Sequence, residues 1–232
     1  MLFLSYYTKR VNKAQRRELR NIRGTIREAK TWYVDIPRTS STSIKTEMAD
    51  RFGSLYGKYY SREGEPCEAQ KQIRDHTPSF EMQKLMGARE WEELYTFSFV
   101  RNPWDRYLSL YRFRLANNDL SESVSFETYV KCLEAPQYYN RESPYINKPY
   151  HMSMADYLTD GQGNVIVDDI FKFEDRSRAI ATINRKLDLN IGQLHMEKTS
   201  TEATYRDAYT EEMKEIISRF YARDIALFGY HF

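Results

Sequence analysis

Residues 95–109 read YTFSFVRNPWDRYLS and join a strand pattern directly to a helix pattern. The first six residues are a run of aromatic and β-branched side chains, which predicts a buried strand. Pro103 comes next, and proline is favoured as the first residue of a helix. Trp104, Tyr107 and Leu108 then begin an apolar pattern with helical spacing. The stretch therefore predicts a strand, a tight turn and a helix.

A second unit of this kind precedes it in the chain. Residues 31–36, TWYVDI, predict a buried strand that ends at Pro37, and Ile44, Met48 and Phe52 recur at intervals of four residues. Two strand-to-helix turns are typical of a parallel sheet covered by helices, whose ligands bind at the carboxyl ends of the strands. The expected fold class is α/β, a single domain with a central parallel sheet flanked by helices.

The remaining elements follow from shorter patterns. Apolar spacing predicts helices over residues 80–91 and 125–133, around Ala179 and around Met213, and short β-branched runs predict strands over 165–167 and 170–173. Residues 140–160 are rich in Pro and Tyr without a clear period, so they form either a functional loop or a helical cap. This segment is a candidate wall for an acceptor substrate.

The composition fits one globular domain of 232 residues with 41% hydrophobic side chains. We divide it into a basic helical N-terminal extension, 1–30, and a main domain, 31–232. The net charge of +2 gives no general field for nucleic acid or an anionic membrane. The dense basic residues of 9–30 predict a surface helix packed on the domain, and a docking site for an anionic partner is the alternative.

Cysteine usage and hydropathy bear on the compartment. The only cysteines, Cys67 and Cys132, form neither a CxxC nor a metal-ligand pattern, which indicates a reducing compartment, most simply the cytoplasm. The apolar patch at residues 1–7 is too short for a signal peptide or membrane span. We expect no membrane span and no bound metal.

Two turns carry candidate chemistry. Residues 36–43, IPRTSSTS, place hydroxyls and backbone N–H groups at a helix N-terminus, which favours a phosphate. Arg101 at a strand end and Ser109 two helical turns later can meet one phosphate. Taken alone, the first turn also fits plain helix caps, and Arg101 also fits a surface salt bridge. The chain lacks GxxxxGK[ST], which argues against an ordinary P-loop nucleotide triphosphatase or kinase.

Together these turns resemble the nucleotide signatures of sulfotransferases that use 3′-phosphoadenosine 5′-phosphosulfate (PAPS). Residues 36–43 are similar to the 5′-phosphosulfate loop of that family, and 100–109 to its 3′-phosphate motif. The chain most resembles the carbohydrate-type branch, with heparan and chondroitin sulfotransferases and small bacterial relatives. Residues 171–175 and 220–232 also fit, so the resemblance runs from about residue 32 to the C-terminus. It implies a P-loop-like nucleotide-binding sulfotransferase fold.

The resemblance also implies roles for individual residues. Arg38 stands where the family usually has a lysine that stabilises the leaving phosphate, and arginine keeps the charge but cannot give up a proton. Arg101 and Ser109 would hold the 3′-phosphate. The residues that would hold the 5′-phosphosulfate are Thr39, Ser40, Ser41, Thr42 and Ser43.

His76 is the candidate general base. It lies in RDHTP, residues 74–78, which resembles a His-Thr-Pro segment of the bacterial branch. The alternative is that His76 caps the next helix, and His151 is the second candidate base. The expected acceptor is a carbohydrate hydroxyl, on family grounds. An amine, a small natural product, or a noncatalytic nucleotide-binding relative are the alternatives.

Overall fold

The computed structural model describes residues 13–39, 41–52, 76–135, 148–189, 191 and 205–232. Short 3-10 turns cover Cys132–Glu134 and Phe173–Asp175. The elements in chain order are α1 (Lys13–Ala29), β1 (Thr31–Val34), α2 (Ser41–Phe52), α3 (Ser79–Met86), α4 (Ala88–Glu92), β2 (Tyr95–Val100), α5 (Pro103–Ala116), α6 (Phe126–Lys131), α7 (Lys148–His151), α8 (Met154–Leu158), β3 (Asp169–Lys172), α9 (Arg176–Leu187), α10 (Glu211–Phe220) and α11 (Ala222–Phe228).

The three strands form one parallel sheet in the order β1-β2-β3. Thr31 pairs with Tyr95 and Phe97 pairs with Asp169, which fixes the register of both ladders. All of β1, and all of β2 after Tyr95, is buried, as expected of a parallel sheet covered on its faces. The predicted α/β fold, a single domain with helices flanking a parallel sheet, is confirmed.

The predicted turn between β2 and α5 is confirmed at atomic detail. Pro103 is the first residue of α5, and Asn102 caps the helix. The Asn102 side-chain oxygen accepts hydrogen bonds from the backbone N–H groups of Trp104 at 3.1 Å and Asp105 at 3.5 Å. The strand thus enters the helix within two residues, and the start of α5 lies at the carboxyl end of the sheet.

Two predicted elements are wrong in detail. Residues 80–91 are not one helix, because Gly87, with φ of 91°, separates α3 from α4. The strand predicted over 165–167 is not formed either, since Val165 makes only an isolated antiparallel bridge with Thr159. The sheet is anchored here by Asp168, whose carboxylate accepts hydrogen bonds from the backbone N–H (2.7 Å) and hydroxyl (2.8 Å) of Thr96.

Helix α1 packs on the same core as the sheet. Ile22 and Ile26 are buried in that core. Arg23 and Arg27 both bind the carboxylate of Glu90 on α4, at 2.8 and 2.6 Å. The basic helix therefore lies against the domain through both apolar and ionic contacts. Across the ranges given above, no helix has both the length and the apolar character needed to cross a membrane.

Candidate active site

The two predicted phosphate turns lie at the carboxyl ends of β1 and β2. Arg101, directly after β2, donates a hydrogen bond from Nη1 to the backbone oxygen of Arg38 at 3.1 Å. The two residues are 63 positions apart in the chain. Parallel pairing of neighbouring strands therefore brings the two predicted phosphate turns into direct contact.

Arg38 lies at the centre of this contact. Its Nε and Nη2 both donate to the hydroxyl of Ser109 at 3.1 Å, and its guanidinium lies 4.6 Å from the centre of the Phe113 ring. The backbone of Arg38 has φ of 66°, in the left-handed region that few residues other than glycine adopt. The structure thus brings together three predicted site residues: Arg38, Arg101 and Ser109.

Arg101 is buried and lies among other charged side chains. Its Nε donates to Asp105 Oδ2 at 2.7 Å, one helical turn away. Arg101 and Arg176 both lie over the ring of Phe173, at 4.2 and 4.3 Å. Burial, followed by the charge of Arg101, lowers the pKa of Arg176. The charge of Glu174 acts in the opposite direction on this pKa. The two guanidiniums are charge-assisted hydrogen-bond donors of the kind that binds a phosphate group.

The hydroxyl-rich loop is described in part. The side chain of Thr39 is buried, and its hydroxyl donates to the backbone oxygen of Ile36 at 2.8 Å, so Thr39 shapes the loop. Ser40 lies outside the described residues. Ser41, Thr42 and Ser43 form the first turn of α2, whose backbone N–H groups are the donors expected at a helix N-terminus.

His76 lies beside the same loop. Its Nδ1 is 3.1 Å from the backbone oxygen and 3.0 Å from carboxylate Oδ2 of Asp35, the residue that follows β1. Its ring also contacts Tyr150 edge-on, with the ring centres 5.7 Å apart. Helix α3 begins after Pro78 and has no side-chain cap, so the alternative that His76 caps this helix is wrong.

Asp35 and Lys45 were missed by the sequence reasoning. Lys45, on α2, donates to Asp35 Oδ2 at 2.6 Å, so one carboxylate oxygen faces both Lys45 and His76. Burial alone would raise the pKa of Asp35, but the charges and hydrogen bonds of His76 and Lys45 outweigh it and hold this pKa well below its ordinary range. An acidic residue at the end of a buried strand, just before the phosphate loop, was the available signal.

Arg106 is a second missed residue. It is buried, and its guanidinium donates to three backbone oxygens: Pro37 at 3.0 Å, Tyr150 at 3.1 Å and Met152 at 3.2 Å. It therefore ties the phosphate loop to the segment 148–152. Its place in the first turns of a buried helix was the signal, because a charged residue there needs polar partners.

Other residues considered from the sequence have structural roles. His151 is buried and its Nε2 hydrogen-bonds the Tyr129 hydroxyl at 2.8 Å, which places it in the core and argues against it as a base. Glu174 accepts from the backbone N–H of Asn102 at 2.7 Å and from the Tyr230 hydroxyl at 3.0 Å. Glu174 thus holds the turn that carries Arg101.

A cleft of about 590 Å³ opens near these residues. Its lining includes Pro78, which follows His76 by two positions in the chain, and Met152, whose backbone oxygen Arg106 binds. Its walls combine apolar and polar side chains. They comprise Pro78, Phe80, Met152, Asp156, Thr159, Asp160, Gly161, Gln162, Gly163 and Arg223.

Comparison with known proteins agrees with this geometry. A family model described as "Sulfotransferase family" matches residues 25–231, which is most of the chain. Neither the curated proteins nor the solved structures gave a significant match. Within the described part of the chain, no three His, Cys, Asp or Glu side chains are grouped so that they could hold a metal ion.

Proposed function

Because the chain belongs to the sulfotransferase family, we propose that it transfers a sulfuryl group from PAPS to an acceptor hydroxyl, with His76 as the base. The observation that carries this proposal is the meeting of Arg38, Arg101 and Ser109 at the carboxyl ends of adjacent parallel strands. This is the edge at which α/β sheets bind nucleotides.

The charges support a bisphosphorylated nucleotide. In this proposal Arg101 and Ser109 bind the 3′-phosphate, and Arg176, which lies over the same Phe173 ring as Arg101, is a further cation near it. The N-terminus of α2 binds the 5′-phosphosulfate through backbone N–H groups. Arg38 already reaches Ser109, so its guanidinium lies between the two phosphate-binding turns.

The transfer is a displacement at sulfur. The acceptor oxygen forms a bond to sulfur while the bond from sulfur to the bridging phosphate oxygen breaks, and that electron pair stays on the phosphate. Arg38 stabilises the resulting negative charge without donating a proton, which suits a leaving group of low basicity. The products are a sulfated acceptor and adenosine 3′,5′-bisphosphate.

The acceptor proton goes to His76. Its Nδ1 faces Asp35, and Nε2 has no hydrogen-bond partner among the described residues, so Nε2 is the atom that accepts the proton. The cleft that begins at Pro78 is the acceptor site in this proposal. Its aromatic Phe80 and polar loop, 160–163, suit a sugar ring, so a carbohydrate hydroxyl is the preferred acceptor.

The proposed compartment is the cytoplasm. Cys132 is a buried free thiol, and Cys67 lies outside the described residues. Two cysteines that form neither a CxxC nor a metal-ligand pattern suit a reducing environment.

Calorimetric titration tests the nucleotide site first. We expect adenosine 3′,5′-bisphosphate to bind more tightly than AMP or ATP, because only it offers a 3′-phosphate to Arg101. Turnover is then measured with ³⁵S-labelled PAPS and a panel of cellobiose, chitobiose and p-nitrophenol. Folded protein that shows no preference for the bisphosphate would overturn the proposal, and phosphate transfer from ATP would favour a kinase instead.

A further inference from the structure

The carboxylate of Asp35 joins two elements around the candidate base. Asp35 follows β1 in the chain. Its Oδ2 lies 2.6 Å from Nζ of Lys45, on α2, and 3.0 Å from Nδ1 of His76. Its other oxygen, Oδ1, is buried without a hydrogen-bond partner in the described chain. Buried carboxylates are costly unless they are paired, and Lys45 and His76 supply that pairing through one oxygen.

The contacts of His76 select one form of its ring. Both partners of Nδ1, the backbone oxygen and Oδ2 of Asp35, are hydrogen-bond acceptors. A neutral imidazole carries one N–H, and two acceptors at Nδ1 require it to be there. Nε2 is then left with a free electron pair. The backbone of His76 has φ of 63°, in the left-handed region that few residues other than glycine adopt.

We propose that Asp35 is the positioning residue of His76: it holds the proton on Nδ1 so that Nε2 accepts the proton of the acceptor, while Lys45 holds the carboxylate in place. The tautomer follows from the contacts of this chain alone. Only the last step, proton acceptance during sulfuryl transfer, rests on the proposed function.

The same carboxylate stabilises the ring after it accepts the proton. The imidazolium then carries its charge 3.0 Å from Asp35 Oδ2. Among the described residues, Asp35 at the end of β1 and the Tyr150 ring from α7 face the imidazole, and Lys45 from α2 faces the carboxylate. The buried phenols of Tyr33 and Tyr157 also interact electrostatically with Asp35. Lys45 keeps Asp35 ionised, so the proton stays on the ring and does not move on to the carboxylate.

The tautomer can be observed without any substrate. The chain has four histidines, so ¹⁵N NMR of the imidazole nitrogens is tractable, and His76→Gln identifies the signals by their loss. Spectra are recorded at about pH 8.5, roughly two pH units above the ordinary histidine pKa. We expect Nδ1 to be protonated and Nε2 to be unprotonated. A ring protonated on Nε2 in the unmodified protein would overturn the proposal.

Substitution of Asp35 tests the functional consequence. In Asp35→Asn we expect a mixture of tautomers and a loss of about 10²-fold in kcat, with the KM for PAPS changed less than about twofold. Asp50→Asn, on the exposed face of α2, is the matched control and should leave both readouts unchanged. If Asp35→Asn does not fold, a double variant with Lys45→Met also removes the cation that pairs with Asp35, and the same two readouts apply.

The outcomes separate this inference from the proposed function. The expected tautomer and its loss in Asp35→Asn, without sulfuryl transfer from PAPS to any probe or to water, would support the positioning role and remove the sulfotransferase chemistry. Transfer with an unchanged kcat in folded Asp35→Asn would overturn the positioning role and leave the chemistry standing.

Discussion

The Nε of Arg106 donates a hydrogen bond to the backbone oxygen of Pro37 at 3.0 Å, from α5 to the loop that follows β1. The same guanidinium donates hydrogen bonds to the backbone oxygens of Tyr150 and Met152. One buried side chain therefore fixes the phosphate loop relative to the segment that contacts His76 and borders the cleft. The shape of the site depends on a residue that does not take part in the chemistry.

Arg106→Ala tests this dependence. The substitution leaves three backbone oxygens without their donor in a buried region, and we expect a loss of about 3 kcal/mol in the free energy of unfolding. Urea denaturation followed by circular dichroism measures it. Arg112, exposed on the same helix, provides the control, and Arg112→Ala should change stability by less than about 0.5 kcal/mol. Equal stability of the two variants would show that the three hydrogen bonds do not hold the loop.

Arg101 and Ser109 are expected to set the affinity for the 3′-phosphate. Loss of a charge-assisted contact of about 2 kcal/mol corresponds to about 30-fold weaker binding. We predict this change for Arg101→Ala with adenosine 3′,5′-bisphosphate, a smaller one for Ser109→Ala, and little change for AMP with either variant. Calorimetry measures all three, with exposed Arg178→Ala as the control. A parallel loss for AMP would place Arg101 outside the 3′-phosphate site.

His76→Ala should separate binding from turnover. The ring contacts Asp35 and Tyr150, and none of the described phosphate-site residues, so we expect the affinity for adenosine 3′,5′-bisphosphate to stay within about twofold. Turnover should fall by about 10²- to 10⁴-fold, the range that general-base catalysis contributes. His231→Ala, which replaces an exposed histidine, is the control variant in the PAPS transfer assay. Full turnover by His76→Ala on a genuine acceptor would remove His76 from the mechanism.

Arg38 allows the role of charge to be separated from that of proton donation. If Arg38 stabilises the leaving phosphate only through its positive charge, Arg38→Lys should keep turnover within about tenfold, whereas Arg38→Ala should lose about 10²- to 10³-fold. Both variants lose the pair of hydrogen bonds from Nε and Nη2 of Arg38 to Ser109, so these bonds cannot explain a difference in turnover between the variants. Equal losses in the two variants would assign Arg38 a structural role in the loop.

The sequence was sufficient where local patterns determine structure. The two strand-to-helix turns and the start of α5 at Pro103 follow from apolar spacing and from proline chemistry. Parallel pairing then accounts for the contact between Arg38 and Arg101. The break at Gly87 was not predicted, because apolar residues continue at helical spacing through a residue with positive φ.

The rest of the site depends on contacts between distant segments. His76 and Asp35 are 41 positions apart, and no local pattern specifies that they meet. Arg106 looked like an ordinary charged residue within a helix, and its three carbonyl partners come from two other segments. His151 was a candidate base because it lies in the irregular segment 140–160, yet the fold places it against Tyr129 in the core. Candidate binding groups at a helix terminus can thus be predicted from sequence, whereas buried polar networks can be identified only once the fold is known.

The lowered pKa of Asp35 predicts how acid affects stability. The group has a lower pKa in the folded protein than the ordinary value of about 3.9 expected in the unfolded chain, so the unfolded chain binds more protons as the pH falls. The stabilising contribution is therefore full above about pH 5 and decreases as the pH falls through 4 and below. Histidines of ordinary pKa are protonated throughout this window, so the change reports the carboxylate.

Urea denaturation at about pH 5 and about pH 3 measures this contribution. We expect the stability difference between the unmodified protein and Asp35→Asn to shrink by about 1 kcal/mol over that interval, because asparagine does not titrate. The exposed Asp50→Asn should show no such change. A difference that is constant with pH, or that grows on acidification, would mean that burial and not the charges of Lys45 and His76 dominates the titration of Asp35.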